Sequence, residues 1–293
     1  MKKIIRAAAR AIFFPAILAT VEAHAALNDE IHECKFVHNQ QGIDACTKLF
    51  TEIEVVDGGT AWVYFGRGSD YLTLGQYPQA LADLNEAIKE APAYSDAFIN
   101  RASVYTHMGK LRLAKADLDT AVALHTTYVQ VNDSNPYTSR YRATPTDIAR
   151  MSRAQVEVEL GDLPDAVIDA DTAKMRAPDN PDMEMTACWV HAVKGDQLDI
   201  ALADCNDAVD ATPDNAAFLY RRGLVRYRMN DFAGAVKDLD QSLTIAPKDA
   251  SAIYLRGLAK AKTGDAAGSK ADMDAAATLY PNVAAFFAHY GIT

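Results

Sequence analysis

A stretch of 34 residues, 61–94, returns along most of the chain, and this repetition limits the folds that the chain can adopt. Gly75 and Gln76 divide it into two segments. Apolar residues in the second segment follow the i, i+3, i+4, i+7 spacing of a helix with one buried face. Pro92 ends that helix, because proline cannot continue it. One hairpin of two such helices cannot cover its own apolar faces, so copies must stack. The sequence therefore predicts an all-α array of helical hairpins.

The repeated stretch resembles the tetratricopeptide repeat in its length and in its characteristic residues. With Ala61 as position 1, these residues are Tyr64, Gly68, Tyr71, Ala80, Leu84, Ala87 and Pro92. Small residues at positions 8 and 20 are expected to face each other and let the two helices approach, since a larger side chain would cost roughly 1–3 kcal/mol. The resemblance implies a right-handed superhelical solenoid, in which the first helix of each hairpin lines a concave groove.

The same frame divides most of the chain into six units. They are 61–94, 95–124, 147–180, 181–215, 216–249 and 250–283, so that the predicted solenoid spans 61–283. Residues 26–58 are interpreted as a degenerate N-terminal helical hairpin. Residues 284–293 are interpreted as a C-terminal capping helix, whose Phe286, Phe287 and Tyr290 cover the last unit. Such a cap is expected because a terminal repeat otherwise leaves an apolar face in water.

Residues 125–146 interrupt the repeats as an insertion without a helical period. Long connections inside a compact domain are uncommon and are often functional. Tyr137, Arg140 and Tyr141 are therefore candidate contacts to a partner. The alternative is a solvated loop, or a local plug on the edge of the solenoid.

Residues 1–25 are predicted to be a secretory signal peptide. A basic stretch precedes an apolar run over 11–21, and Ala23 and Ala25 are small residues at the cleavage spacing. The run is too short to span a membrane. We expect cleavage after Ala25, a periplasmic or secreted protein, and no membrane insertion after cleavage. An uncleaved anchor is the alternative. The short, lysine-containing signal indicates a bacterial source.

The charge of the chain disfavours two classes of partner. The full sequence has 29 basic and 39 acidic residues, and residues 1–25 carry four of the basic and one of the acidic residues. Cleavage would therefore change the net charge from −10 to about −13. An acidic protein repels phosphate backbones, so neither nucleic acid nor an anionic lipid surface is expected to bind.

The four cysteines form two pairs, Cys34 with Cys46 and Cys188 with Cys205. Each pair lies at equal distances from the turn of its own predicted hairpin, which places its members at one height. In an exported chain this symmetry predicts two disulfides within hairpins, each contributing about 2–4 kcal/mol. The alternative is four buried thiols in helix packing.

A metal site is the second interpretation of the N-terminal cysteines. His32, Cys34, His38 and Cys46 lie within 15 residues, and two cysteines with two histidines are a possible zinc ligand set. Their spacing matches no finger or ribbon pattern, and a disulfide would consume both thiols. We therefore expect no metal and no cofactor.

Two charged residues recur in the units. Aspartate stands at position 23 as Asp83, Asp117, Asp169, Asp204, Asp238 and Asp272, and arginine stands at position 7 as Arg67, Arg101, Arg153, Arg222 and Arg256. A ladder of charges for a ligand is one interpretation. Identical placement in successive units favours a structural role instead, because a binding site is local. We predict that each aspartate pairs with an arginine of a neighbouring helix.

No catalytic signature was found in the sequence. His32 and Glu33 begin like a zinc-protease helix, but no second histidine follows at the spacing of a ligand pair. Gly66 and Gly68 lie inside a helical pattern with no preceding strand, which excludes a dinucleotide-binding turn. The sequence also has no Gly-x-Ser-x-Gly element. An enzyme is therefore not expected.

The groove positions implied by the resemblance contain one aromatic and basic set. It consists of Tyr220, Arg221, Tyr227, Arg228, Tyr254 and Lys262. Tyrosine and arginine supply much of the binding energy at interfaces, so a peptide or an acidic segment is predicted to bind there. The alternative is that the tyrosines pack between repeats and the basic residues form a solvated face.

Together these features predict a non-catalytic, exported scaffold that holds a protein or peptide in its concave groove, in the bacterial cell envelope. A binder of small molecules or glycans that uses the same aromatic groove is the alternative. A metal-dependent protein that uses His32, Cys34, His38 and Cys46 is the third possibility.

Overall fold

The computed structural model describes residues 27–52, 59–132 and 144–293, with side chains up to residue 124 in the second range. These residues form helices and connecting turns, without a strand. The predicted all-α class and the stacked-hairpin solenoid are confirmed. In the described part of the chain, no helix combines the length and the apolar composition that crossing a membrane requires.

The chain divides into two compact units, Met1–Thr120 and Ala121–Thr293. The helices of the first unit are α1 (27–36), α2 (Gln40–Glu52), α3 (Ala61–Thr73), α4 (Tyr77–Glu90) and α5 (Ser95–His107). Helix α6 (Leu111–Asn132) contains the boundary. The second unit continues with α7 (Pro145–Leu160), α8 (Leu163–Arg176), α9 (Pro181–Lys194), α10 (Leu198–Ala211), α11 (Ala216–Arg228), α12 (Phe232–Ile245), α13 (Ala250–Thr263), α14 (Ala266–Leu279) and α15 (Val283–His289).

Local sequence sets the helix boundaries, as α7 shows. The Thr144 hydroxyl accepts a hydrogen bond from the Asp147 backbone N–H at 3.3 Å, and the Asp147 carboxylate accepts one from the Thr144 backbone N–H at 3.0 Å. This reciprocal capping satisfies two amides that the first turn leaves free. Pro145 suits the first helical position, where no N–H is needed. Gly161, with φ +83°, ends the helix in the left-handed conformation.

The predicted start of the insertion 125–146 is wrong. Residues 125–132 continue α6, because neither glycine nor proline interrupts the sequence before its end at Asn132. Helix α7 already begins at Pro145. The predicted contacts Tyr137, Arg140 and Tyr141 lie outside the described residues.

The two helices of a hairpin approach each other closely at position 8 of the repeat, where the first helix has a small residue. A Cβ added at Gly68 would lie 3.0 Å from Cγ of Leu84, and one added at Gly223 would lie 3.0 Å from Cγ of Leu239. The neighbour of position 8 is therefore the large side chain at position 24, and not only the small residue expected at position 20. The close approach explains why glycine is needed, since added volume there would overpack the core.

The second unit consists of two layers of helices. The first helices of its hairpins contact one another, α7 with α9, α9 with α11 and α11 with α13. The second helices contact the first helices on either side, and no pair of them meets among the described residues. The closer spacing makes the layer of first helices the inner face of this unit, and we use that name for it below.

Candidate binding site

The recurring arginines and aspartates form paired hydrogen bonds within their hairpins. In each pair, Nε and Nη2 of the arginine donate to the two oxygens of one aspartate at 2.5–2.9 Å. The pairs are Arg67 with Asp83, Arg101 with Asp117, Arg153 with Asp169, Arg222 with Asp238 and Arg256 with Asp272. The predicted structural pairing is confirmed for these five units, because two parallel bonds fix one side chain against the other.

The same arginines also connect consecutive hairpins. Nη1 donates from Arg67 to Thr47 at 3.2 Å, from Arg101 to Asn85 at 2.7 Å, from Arg222 to Asn206 at 3.3 Å, and from Arg256 to Asp240 at 2.8 Å. Each acceptor belongs to the second helix of the preceding hairpin. One guanidinium group thus joins three helices, so these charges stabilise the fold.

The hairpin of α9 and α10 has no arginine at position 7, where Ala187 stands. Its aspartate, Asp204, instead accepts a hydrogen bond from Nζ of Lys174 at 2.5 Å. Lys174 lies in α8, so the bond comes from the preceding hairpin. Burial raises the pKa of Asp204, and the bond from Lys174 lowers it by less, so that the net shift is upward. The other carboxylate oxygen of Asp204 is buried without a hydrogen bond among the described residues, so its compensation is incomplete.

The predicted aromatic and basic set is divided by the structure. Tyr220, Arg221, Tyr227 and Arg228 lie on α11, and Tyr254 and Lys262 lie on α13. We call residues 283–293 the terminal segment. Three of the six side chains, those of Tyr227, Arg228 and Tyr254, are in contact with it. These three side chains therefore contact the chain itself, and the binding of a partner by the set stays a prediction.

Residues Tyr227, Arg228 and Tyr254 hold the terminal segment. The Tyr227 hydroxyl donates to the carbonyl oxygen of Thr293 at 2.8 Å, and only 6% of Tyr227 is exposed. Nη2 of Arg228 donates to the carbonyl oxygen of Tyr290 at 2.6 Å, and its Nη1 donates to that of Gly291 at 3.3 Å. The ring of Tyr254 lies 5.1 Å from the ring of Phe287. These groups bind backbone and aromatic atoms of the chain itself.

The terminal segment ends α15 with a glycine turn. Gly291 has φ +64°, and its N–H donates to the carbonyl oxygen of Ala288 at 3.0 Å. The N–H of Ile292 donates to that of Phe287 at 3.0 Å. These two bonds form a Schellman motif, which brings the residue after the glycine against the third residue from the helix end. Phe287 and Ile292 are accordingly 1% and 3% exposed. The predicted cap does not use Phe286, which is 37% exposed.

Arg221 remains on the inner face without an ion-paired carboxylate among the described residues. Its guanidinium lies 5.3 Å from the ring centre of Trp189, a cation–π contact, and it forms no ion pair with any residue that the structure describes. Burial lowers the pKa of Arg221 and raises the pKa of neighbouring Tyr220, which packs against the core. Lys262 is exposed. Trp189 is the contact that the predicted set had missed, although its groove position could have pointed to it.

A family model described as "Tetratricopeptide repeat" matches residues 65–128 and 191–251. The chain contains tetratricopeptide repeats. Such repeats generally act as protein-binding scaffolds and are typically non-catalytic. The matched ranges include the Arg101 pair of the first unit and Arg221, Tyr227 and Arg228 of the second.

Similar repeats occur in curated proteins and in solved structures. The Protein SGT1 homolog of Oryza sativa subsp. japonica is 27% identical over 97 residues, which are 33% of this chain and 26% of that protein. The chain thus matches about a quarter of that relative's length. The crystal structure of the APC/C hetero-tetramer Cut9-Hcn1 is 14% identical with a TM-score of 0.66, covering 84% of this chain and 44% of that chain. The crystal structure of PilW, a type IV pilus biogenesis factor, has 14% sequence identity and a TM-score of 0.59. The match covers 78% of this chain and 98% of PilW. These structures share the fold.

The structure pairs the four cysteines as the sequence predicted. Cys34 and Cys46 form one disulfide with a Cα–Cα distance of 4.7 Å, and Cys188 and Cys205 form the other with a distance of 5.6 Å. Nδ1 of His38 lies 3.0 Å from Oδ1 of Asp70. Two of the possible zinc ligands are therefore in a disulfide, and a third has a carboxylate partner.

His191 in α9 is a buried histidine that the sequence interpretation had missed. Its Nε2 lies 3.1 Å from Oδ1 of Asp171, and its Nδ1 lies 2.9 Å from Oδ1 of Asp196. The hydrogen bond with Asp171 raises the pKa of His191, burial lowers it, and the bond with Asp196 raises it, for a net upward shift. The two carboxylates thus favour the imidazolium form.

Proposed function

We propose that this protein is a non-catalytic scaffold that binds a protein or peptide on the inner face of its second unit. We further propose that it acts in the bacterial cell envelope after removal of residues 1–25. The general role of tetratricopeptide repeats supports the binding function. The basic start and the short apolar run of the sequence support the location.

One observation carries the choice of site, namely the state of Arg221. Five other arginines each hold an aspartate of the fold, whereas Arg221 lies over Trp189 and forms no ion pair in the described part of the chain. A desolvated guanidinium without a partner is costly, and a carboxylate from a bound peptide would compensate it. Aromatic and arginine side chains are also the usual anchors of interfaces. The partner therefore presents an acidic group to Arg221.

The test compares Arg221→Ala with Lys237→Ala as baits. Lys237 is exposed on α12, so its substitution removes the same charge away from the inner face. Each variant and the unaltered protein would capture partners from envelope extract, with quantification by mass spectrometry. We expect Arg221→Ala to lose the partner at least about ten-fold, in line with a contact of 1.4 kcal/mol or more. Equal capture by all three proteins would remove the inner face from consideration.

The location has its own measurement. N-terminal sequencing of the protein from fractionated cells is expected to begin at Ala26 in the periplasmic or secreted fraction. A protein that keeps Met1 and stays with the membrane would instead support an uncleaved anchor.

A further inference from the structure

The terminal segment lies along the inner face as a bound peptide would. It contacts α13 through Phe287 and α11 through Tyr227 and Arg228. The Tyr290 hydroxyl donates to the carbonyl oxygen of Val158 in α7 at 3.5 Å. One stretch of 11 residues therefore reaches helices that begin up to 138 residues earlier in the chain.

The helix of the terminal segment depends on this surface. It has seven residues, and isolated helices shorter than about 12 residues are marginal in water. Its apolar residues Val283, Phe287 and Ile292 are buried in the core of the second unit, while Phe286 and His289 are exposed. Folding of the segment and its binding to the inner face are thus one event, which can be reversed as one event.

Apart from the Tyr290 hydroxyl, the polar groups through which the terminal segment is held are backbone carbonyl oxygens. Arg228 and Tyr227 donate to carbonyl oxygens of Tyr290, Gly291 and Thr293, and any peptide offers such acceptors. The apolar side chains that the surface buries are those of Val283, Phe287 and Ile292, and a left-handed glycine precedes Ile292. Nε of Arg228 is buried and has no partner within the described residues, so the segment does not use every donor that is available.

We propose that the terminal segment is an internal ligand of the inner face, and that the partner presents a short helix of the same type. That helix contains an aromatic residue, then three residues, then glycine and an aliphatic residue, and it replaces residues 283–293. This proposal rests on the proposed function for the existence of a partner. Because the internal ligand is tethered, its effective concentration is in the millimolar range. It lowers the apparent affinity of every competitor, because only molecules whose segment is released can bind one.

The test uses the full chain and a fluorescein-labelled synthetic peptide of residues 280–293. Gly291→Ala loosens the internal segment alone, since a Cβ there meets no atom within 4 Å and its cost is the left-handed backbone. Gly109→Ala is the matched control, with φ +68° and an equally open Cβ position in the turn after α5. Hydrogen exchange at the amides of Gly291 and Ile292 reports release of the segment. Phe287→Ala, with Phe286→Ala as its control, is the second way to release it.

We expect the peptide to bind the Gly291→Ala protein about ten-fold more tightly than the unaltered and Gly109→Ala proteins. Adding Arg228→Ala should abolish that gain. Equal binding to all proteins, or no binding to a protein whose segment is released, would overturn the proposal. A segment that stays protected in both Gly291→Ala and Phe287→Ala would also overturn it, because a fixed cap cannot be displaced.

This assay is independent of the envelope partner. If the peptide fails to bind while capture still depends on Arg221, the scaffold function stands and the internal ligand does not. If the peptide binds as expected while Arg221→Ala captures the partner normally, the internal ligand stands and the proposed site of the partner does not.

Discussion

The hairpin of α9 and α10 and the hairpin of α11 and α12 have the same fold but are held by different chemistry. In the second, Arg222 binds Asp238 with two hydrogen bonds, and Gly223 packs against Leu239. In the first, alanine and cysteine occupy the places of that arginine and glycine. Cys188 forms a disulfide with Cys205, which occupies the place of the leucine.

The difference shows which contacts a hairpin of this type needs. Both hairpins join their helices at the level of Gly223 and Leu239, where α11 and α12 pack closely and α9 and α10 are linked by a covalent bond. Lys174 supplies the charge for Asp204 from outside the hairpin. The position in the repeat is therefore fixed by geometry, while the residue types there can change together.

The largest expected effect in this comparison is that of Asp238→Ala. Asp238 accepts hydrogen bonds from Arg222, and Nη1 of Arg226 lies 3.0 Å away, so the substitution leaves two largely buried arginines without it. We expect a loss of about 3–5 kcal/mol in the free energy of unfolding, measured by urea titration with circular dichroism. Asp204→Ala should cost less, because it loses one bond from Lys174 and removes an oxygen that has no hydrogen bond.

Asp274→Ala is the control for that prediction. Its carboxylate is 67% exposed in a pair with Lys270, so the change should stay within about 0.5 kcal/mol. If Asp238→Ala were as mild as this control, the paired charges would not be what joins these helices.

The next effect concerns the disulfide of α9 and α10. Replacing both Cys188 and Cys205 with alanine should lower stability by about 2–4 kcal/mol in thermal unfolding without reductant. Replacing them with glycine and leucine, the pair found in the neighbouring hairpin, should recover part of that loss, because the leucine restores buried apolar contact. A glycine and leucine variant less stable than the alanine variant would show that the two hairpins are not equivalent at this level.

The smallest effect is a dependence on pH that comes from His191 of α9, which has no histidine counterpart in α11 and α12. Because the folded pKa of His191 is raised, its contribution is fully present below the unfolded pKa of about 6.5 and is lost as pH rises through the folded value. Stability of the second unit should therefore decrease above neutral pH. His191→Gln should remove this decrease in urea titrations between about pH 5.5 and 9, whereas exposed His289→Gln should not.

Much of the hairpin architecture could be predicted because its causes are local or periodic. The recurring arginine and aspartate lie 16 residues apart, and a fixed period places them at one level of adjacent helices. The cysteine pairs followed from the same symmetry about a turn. The prediction for residues 125–132 was wrong for a local reason. Their β-branched and aromatic residues do not favour a helix, but no glycine or proline ends α6 before Asn132.

The inner face could be predicted only in part. The sequence shows which residues share one side of a helix, but it does not show which distant segment packs against that side. Arg221 and Arg228 have the same residue type and lie on the same helix. Among the described residues, Arg221 forms no ion pair, whereas Arg228 binds three carbonyl groups. The sequence Tyr290-Gly291-Ile292 is a readable signal for the end of a helix. That the terminal segment returns to contact α7, α11 and α13 is a long-range packing event, which no local pattern encodes.

Arg228 gives the terminal segment a mechanical role. One of its nitrogen atoms also donates to the carbonyl oxygen of Val193 at the end of α9, so a single guanidinium ties α9, α11 and the segment together. A segment bound there therefore stabilises the contact between the two hairpins. When the segment dissociates, this contact loses part of its hydrogen bonding, and the distance between the hairpins can increase.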